Sequence, residues 1–147
     1  SSQPSFPTRR SSDLTDVVIT VTSGDTGEAT VDLATLTFTF ANWNVAQTVT
    51  VTGVNDPTID GNQLTTVTLA IDDANSNDAF DAVANQTVSV TTVDNDTPGF
   101  TIAESGGSTS VNESGTTDTF TVVLNSQPLT DVVIAGATGG ERELAGD

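Results

Sequence analysis

The chain has 147 residues, no Cys, no His and a formal net charge of −17. These absences exclude disulfide bridges, thiol nucleophiles, Ser-His-Asp triads and metal sites built on Cys or His. From Thr15 to Ile134 the sequence holds sixteen Asp or Glu residues and neither Lys nor Arg, which excludes binding to a nucleic-acid backbone as a main role and disfavours anionic membrane surfaces. These carboxylates must be solvated, protonated or bound to an external cation. No apolar run approaches the length of about 18 residues that a transmembrane helix needs.

The two ends of the chain differ from the rest. Residues 1–14 contain two of the three Arg residues, and the string FPTRRSSDL at the end of this segment resembles the translation of a common DNA-sequencing adapter. We predict that residues 1–14 are a non-native or disordered leader, and we exclude them from the fold. Residues 135–147 lose the alternation of the preceding segment and carry charges of both signs, so we predict no fold for this tail.

Between the ends, apolar and polar residues alternate in seven short runs separated by turn-forming residues. A period of two with β-branched and aromatic residues is typical of half-buried strands. The alternating apolar positions are Val17, Ile19 and Val21; Leu36, Phe38 and Phe40; Val49 and Val51; Val67, Leu69 and Ile71; Val88 and Val90; Phe100 and Ile102; and Phe120, Val122 and Leu124. We predict an all-β antiparallel sandwich with Trp43 as its largest core side chain. Residues 74–84 are the one ambiguous segment, open to a short helical turn.

A repeat is visible within the chain. The string TDVVI occurs at 15–19 and again at 130–134, an offset of 115 residues, which is the size of one β-sandwich module. We predict that residues 15–97 form most of one module without its opening strands, and that residues 98–134 form the opening strands of the next. The segment 100–128 then either folds back to complete the first sandwich, as a circular permutation, or stays in a second, partial module.

Several Asp residues lie at strand ends and in turns. Asp94 and Asp96 follow the last strand of the first module, and side chains two residues apart in an extended segment point to the same face. Asp56 and Asp60 flank a Pro-containing loop that can bring both to one pole of the module. Two ionised carboxylates this close repel each other unless a cation lies between them, and Ca²⁺ requires oxygen ligands. We therefore predict bound Ca²⁺; the alternative is that these residues serve only as turn formers.

Paired carboxylates also carry out glycoside hydrolysis, which makes an enzymatic function a further possibility. Such a site needs a sugar-binding cleft lined with aromatic side chains. The chain has one Trp, no Tyr and six Phe, and most of the Phe residues occupy alternating strand positions. We therefore predict that the protein is not an enzyme.

Three strings carry a resemblance to a known family. They are VDLATLTFTFANWNVAQTVTVTGVNDPTIDGN at 31–62, VSVTTVDND at 88–96 and FTIAESGGSTSVNESGTTDTFTVVLNSQPLTDVVI at 100–134. Together they resemble Calx-β repeats, above all those found in tandem in large bacterial extracellular and adhesin-like proteins. The most specific parts are the V-x-E-S-G motif at 111–115, the LTF…NW…QTVTV block and the D-N-D ending.

The resemblance implies an immunoglobulin-like sandwich of seven strands with Ca²⁺ bound at one pole. Carried over position by position, it implies a set of carboxylate ligands: Asp32, Asp56, Asp60, Asp94, Asp96 and Glu113. Asn55 stands where calcium-sensing members have an acidic residue. Glu113 belongs to the second module, so neither module holds a complete set of ligands.

From these patterns we expect a calcium-binding structural repeat that serves as a stalk or spacer in a large extracellular or cell-surface bacterial protein. Its expected partners are neighbouring repeats of the same chain and host or surface ligands, with no nucleic acid and no membrane insertion. Two alternatives stay open. One is an adhesion module that binds a glycan or a protein partner, for which an exposed aromatic side chain is the distinguishing mark. The other is a calcium-sensing regulatory domain like those of sodium–calcium exchangers.

Overall fold

The computed structural model describes residues 14–137, in which β-strands dominate and helix is confined to short 3-10 turns. The eight strands are β1 Val17–Ser23, β2 Ala29–Val31, β3 Thr35–Phe38, β4 Val51–Gly53, β5 Gln63–Ile71, β6 Gln86–Thr92, β7 Phe100–Glu104 and β8 Phe120–Leu124. All pairs between these strands are antiparallel, which confirms the prediction of an all-β antiparallel fold. The predicted leader, apart from Leu14, and residues 138–147 of the predicted tail lie outside the described residues.

The described residues divide into two compact units. The first comprises residues 14–56 and 61–95 and contains β1 to β6. The second comprises residues 57–60 and 96–137 and contains β7 and β8. Six strands therefore belong to one unit and two to the other.

Four strands of the first unit form one sheet in the order β3-β1-β5-β6. The central strand β1 pairs with β3 through Val17↔Phe38 and with β5 through Ile19↔Ile71. Residues that pair directly across two strands point to the same face of the sheet. The alternating apolar positions of the four strands therefore share one face, which is the inner face of this unit.

The core of the first unit lies under one end of that face. Val21, Leu36 and Val67 are at most 6 % exposed, and Val31 of β2 and Val49, just before β4, pack against them. Strands β2 and β4 form a two-stranded sheet of their own. Two layers with apolar side chains between them are consistent with a β-sandwich, and burial of these side chains is the main stabilising term. The second layer has two strands against four in the first.

Trp43 and Phe40 lie outside this core, so the prediction that Trp43 is the largest core side chain is wrong. Trp43 is 70 % exposed, and Phe40, which was expected to continue a strand, is 90 % exposed. Strand β3 ends at Phe38 and the chain then turns, with Asn42 Oδ1 accepting a hydrogen bond from Thr39 N at 2.5 Å. The turn, rather than a strand, sets the position of both rings.

Two 3-10 helical turns, Asp73–Asn75 and Asp78–Phe80, lie in or at the edge of the ambiguous segment 74–84. Ser76 lies between them and is fully buried. Its Oγ accepts a hydrogen bond from Val18 N at 2.9 Å and donates one to Val18 O at 3.1 Å. A single hydroxyl thus fixes this segment to the start of β1.

The second unit is built on the hairpin of β7 and β8. Its register on one face is Phe100↔Leu124, Ile102↔Val122 and Glu104↔Phe120. Five of these six side chains are apolar, and every residue of both strands is exposed. The hairpin is therefore amphipathic, with its apolar face open to solvent.

The loop segment 57–60 is hydrogen-bonded to the chain that follows β8. Thr58 forms an isolated parallel bridge with Gln127. Ile59 N donates a hydrogen bond to Gln127 O at 3.1 Å, and Gln127 N donates one to Pro57 O at 2.6 Å. These bonds fix the backbone of the Pro-containing loop.

Candidate metal centre

Three carboxylates come together beside the start of β2. One carboxylate oxygen from each of Glu28, Asp56 and Asp60 lies within 4.8 Å of the other two, and all three residues are half-buried. We call this group the acidic triad. Ionised carboxylates at such a range repel one another unless a cation lies among them. The acidic triad is therefore a candidate cation site.

Glu28 is placed by the pairing of β2 with β4. It directly precedes β2, and its backbone oxygen accepts hydrogen bonds from Val54 N at 2.8 Å and from Thr92 Oγ1 at 3.0 Å. The chain that leaves β4 is thus held against Glu28. Asp56 follows two residues after Val54, which brings its carboxylate near that of Glu28.

Asp60 is placed by a tight turn in the loop. Asp60 N donates a hydrogen bond to Thr58 O at 3.1 Å, and Gly61 follows with φ of +75°, a conformation that glycine adopts at little cost. Gly61 N then donates to Asp94 Oδ2 at 2.7 Å, and Asp94 N donates to Asn62 Oδ1 at 3.0 Å. Asp94 therefore anchors the loop that carries Asp60, and it is not one of the grouped carboxylates.

Asp32 bonds across the β2–β4 pair. Asp32 Oδ1 accepts a hydrogen bond from Thr50 N at 2.8 Å, and Asp32 N donates one to Thr50 O at 3.1 Å. The hydrogen bond from the Thr50 backbone holds the pKa of Asp32 below its ordinary value, because it favours the ionised carboxylate. Asp32 thus fixes the end of β2 to the residues that enter β4.

Asp96 and Glu113 lie in the second unit. Asp96 Oδ1 accepts a hydrogen bond from Ser126 Oγ at 3.1 Å. Glu113 is exposed, in a turn that ends at Gly115. Neither residue belongs to the acidic triad.

Two of the six expected ligands, Asp56 and Asp60, are therefore in the acidic triad. The other four are outside it: Asp32, Asp94, Asp96 and Glu113. Glu28 was not among the ligands predicted from the sequence, because its place depends on the pairing of β2 with β4. Strand β2 has three residues, too few for an alternating pattern to be recognised, and the turn string SGDTGE ahead of it was the one available signal.

The donor set of the acidic triad consists of carboxylate oxygens alone. Ca²⁺ takes about six to eight oxygen ligands and tolerates irregular geometry, whereas most transition metals favour nitrogen or sulfur. The three residues therefore fit a hard divalent cation, with backbone carbonyls and water left to complete the coordination shell.

A second acidic cluster lies on the 3-10 segment after β5. A hydrogen bond between the side chains of Asp73 and Asp81 raises the pKa of Asp81, and partial desolvation and the charges of Asp73 and Asp78 add to the shift. This cluster is thus a second place where carboxylates of the chain lie close together.

Comparison of the chain with protein-family models, with curated proteins and with solved structures found no match. Within the part of the chain that the structure describes, no helix is both long enough and apolar enough to cross a bilayer. The fold and the acidic triad are therefore the structural basis for assigning a function.

Proposed function

We propose that the protein is a calcium-binding structural repeat of β-sandwich architecture, a stalk or spacer in a large extracellular bacterial protein. The convergence of the Glu28, Asp56 and Asp60 carboxylates within 4.8 Å of one another carries this proposal. Their oxygen-only donor set suits Ca²⁺, and the net charge of −17 favours uptake of cations. The resemblance to Calx-β repeats supports the same assignment.

The proposed role of the ion is mechanical. Ca²⁺ bound by the acidic triad ties the start of β2 to the loop after β4 and removes the repulsion among the three carboxylates. An ion that binds the folded state and not the unfolded chain stabilises the fold by about 2.7 kcal/mol at 100 times its dissociation constant. The module is then stiff where calcium is abundant and looser where it is scarce, a non-enzymatic function whose partners are neighbouring repeats and surface ligands.

Thermal unfolding in EGTA and in millimolar Ca²⁺ tests this proposal. We expect Ca²⁺ to raise the Tm by several degrees. Glu28→Gln and Asp60→Asn should each abolish most of that rise, because each removes one charged ligand. Asp131→Asn is the matched control: it removes the same charge from an exposed residue outside the acidic triad and should keep the rise. Equal Tm values for the unmodified chain in EGTA and in Ca²⁺ would exclude the proposal.

An adhesion module is the second candidate, and the exposure of Trp43 favours it. Trp43 and Phe40 border a groove of about 810 Å³ whose lining is mainly apolar. Grooves with exposed aromatic rings are common binding sites for small ligands and partner chains. Glycan-array binding by the unmodified chain, lost on Trp43→Ala, is the result expected of this candidate.

A further inference from the structure

An apolar groove lies on the inner face of the first unit, beyond the end that β2 and β4 cover. Its volume is about 810 Å³, and none of the residues that line it is charged. Val17, Ile19 and Ile71 contribute from the sheet, and the exposed rings of Phe40 and Trp43 stand at its border. The uncovered part of the inner sheet face is thus a concave apolar surface in a chain of strongly negative charge.

A second apolar surface is exposed on the hairpin of β7 and β8. Phe100, Ile102, Phe120, Val122 and Leu124 share one face of the hairpin, and their exposed fractions lie between 36 % and 58 %. The only charged residue of the two strands stands at the end of β7. An isolated two-stranded hairpin is at best marginally stable in water, so this face gains from being covered.

The internal repeat relates the two surfaces. TDVVI at 15–19 enters β1, and the second TDVVI at 130–134 follows soon after β8. The repeat therefore places a hairpin of this kind ahead of β1 in a complete module, whereas β1 is the first described strand of the first unit. The groove beside β1 is the surface that such a hairpin would cover.

We propose that the β7–β8 hairpin of one copy of the chain docks in the apolar groove of a second copy. The groove belongs to the first unit and the hairpin to the second, so each copy offers one hairpin and one groove. The proposal goes beyond the calcium-binding function and does not depend on it.

The apolar area available matches what such an association needs. Five aromatic rings are exposed on the two surfaces: Phe40, Trp43 and Phe80 at the groove, and Phe100 and Phe120 on the hairpin. At about 200 Å² for a fully exposed ring, these rings present about 600 Å². With the aliphatic side chains around them, the contact approaches the ~1,000 Å² that a specific interface requires.

The charge and symmetry of the two surfaces determine the form of the assembly. The lining of the groove is uncharged, although Asp16, Asp72, Asp78 and Asp81 each adjoin a lining residue in the sequence, and the hairpin strands carry one carboxylate, that of Glu104. Hairpin and groove are different surfaces, and the contact is therefore heterologous. A pair joined by one such contact keeps one unused hairpin and one unused groove, so further contacts close a ring or extend an open chain of copies.

Two complementary variants of the full chain test the proposal. Ile102→Asp places a charge on the apolar face of the hairpin and leaves the groove, with Trp43, unchanged. Trp43→Asp places a charge at the groove, leaves the hairpin unchanged and removes the single Trp of the chain. Light scattering of each variant alone should give the mass of a 15.0 kDa monomer. Their equimolar mixture should show twice that mass, and the emission of Trp43 should shift to shorter wavelength and saturate at one-to-one.

Controls keep the test independent of folding and of calcium. Thr101→Asp, on the opposite face of β7, added to the Trp43→Asp chain should leave the emission shift intact, whereas Ile102→Asp added to that chain should abolish it. Far-UV circular dichroism and a cooperative melt check that each variant is folded. The unmodified chain gives a second measurement, because its mean mass should rise with concentration. All samples contain EGTA, so failure of calcium binding leaves the outcome unaffected.

Three results overturn the proposal. The first is that the unmodified chain stays monomeric at every concentration and that mixing the Ile102→Asp and Trp43→Asp variants causes no shift in Trp43 emission. The second is a monomer in which Ile102→Asp alone moves Trp43 emission to longer wavelength, which would assign the groove to the hairpin of the same chain. The third is an emission shift caused by a glycan and not by the Trp43→Asp chain, which would assign the groove to an external ligand.

Discussion

Asp residues in this chain have different roles according to what lies within hydrogen-bonding distance. Asp94 accepts from a backbone N–H of the loop at 2.7 Å, Asp81 shares a hydrogen bond with another carboxyl, and Asp56 is grouped with two further carboxylates. The sequence could predict that turns and strand ends are acidic. It could not predict which Asp residues meet, because that depends on backbone positions set by distant strands.

A change at Asp73 should alter the titration of Asp81. The pKa of Asp81 is raised above its ordinary 3.8 because the two side chains share a hydrogen bond. A carboxyl whose pKa is raised by folding adds stability below the unfolded pKa, and this stability is lost as the pH rises through the higher folded pKa. In the Asp73→Asn variant the new side-chain amide donates a hydrogen bond to the Asp81 carboxylate. We therefore expect the pKa of Asp81 to fall, and the loss of stability with rising pH to disappear. NMR titration of Asp81 checks this, and an unchanged pKa would contradict the pairing.

The buried hydroxyl of Ser76 should stabilise the fold through its hydrogen bonds to the Val18 backbone. Ser76→Ala removes the acceptor of the Val18 N–H, and a buried polar group left without a partner costs about 1–3 kcal/mol. We expect a Tm lower by several degrees. Ser89→Ala, at an exposed position of β6, is the matched control and should leave the Tm unchanged. A similar Tm for the two variants would show that Ser76 does not fix the 3-10 segment.

At the scale of strands, the alternating pattern was informative where a strand is long and half-buried. Val67, Leu69 and Ile71 of β5 alternate with polar residues, and the strand forms as predicted. The pattern failed at Phe40, where the local turn around Asn42 ends the strand earlier. It also gave no sign of β2, whose three residues acquire a strand conformation through pairing with β4. Glu28 was missed for the same reason.

The small core of the first unit leads to a prediction about two Leu residues. Leu36 is 6 % exposed and belongs to the core, whereas Leu64 of β5 is 72 % exposed. Leu36→Ala should lower the free energy of unfolding by about 2–5 kcal/mol, because it removes buried methyl groups and leaves a cavity. Leu64→Ala should stay within about 0.5 kcal/mol. Urea unfolding measures the free energy of unfolding of both variants, and an equal decrease in the two would show that Leu36 is not part of the core.

At the scale of the whole molecule, composition leads to a prediction about ions. Sixteen carboxylates and no Lys or Arg between Thr15 and Ile134 predict strong self-repulsion and a need for cations. In the part of the chain that the structure describes, one group of carboxylates can hold such an ion, the acidic triad. Composition predicts the need for cations but not the place where they bind, since that place depends on the folded loop between β4 and β5.

Screening and specific binding should be separable by the choice of salt. NaCl should raise the Tm gradually, because the Debye length shortens to about 10 Å only near 0.1 M. CaCl₂ should raise it at far lower ionic strength and reach a plateau. Asp56→Asn should reduce the plateau and leave the response to NaCl unaltered. If both salts act equally at equal ionic strength, the carboxylates are merely screened.

Strand β6 ends the larger sheet, and its seven residues, Gln86–Thr92, include neither Pro nor a charged side chain. Such an edge displays a row of backbone amides on which another molecule can add a strand, with none of the usual blocking residues. At neutral pH colloidal repulsion between copies protects it. Near the isoelectric point of about 4.1 that protection vanishes, and we expect fibrils that bind thioflavin T. Thr87→Lys should delay them, because a charged side chain on an edge strand opposes the addition of a further strand. We expect the acidic residues to oppose the same assembly at neutral pH through repulsion between copies.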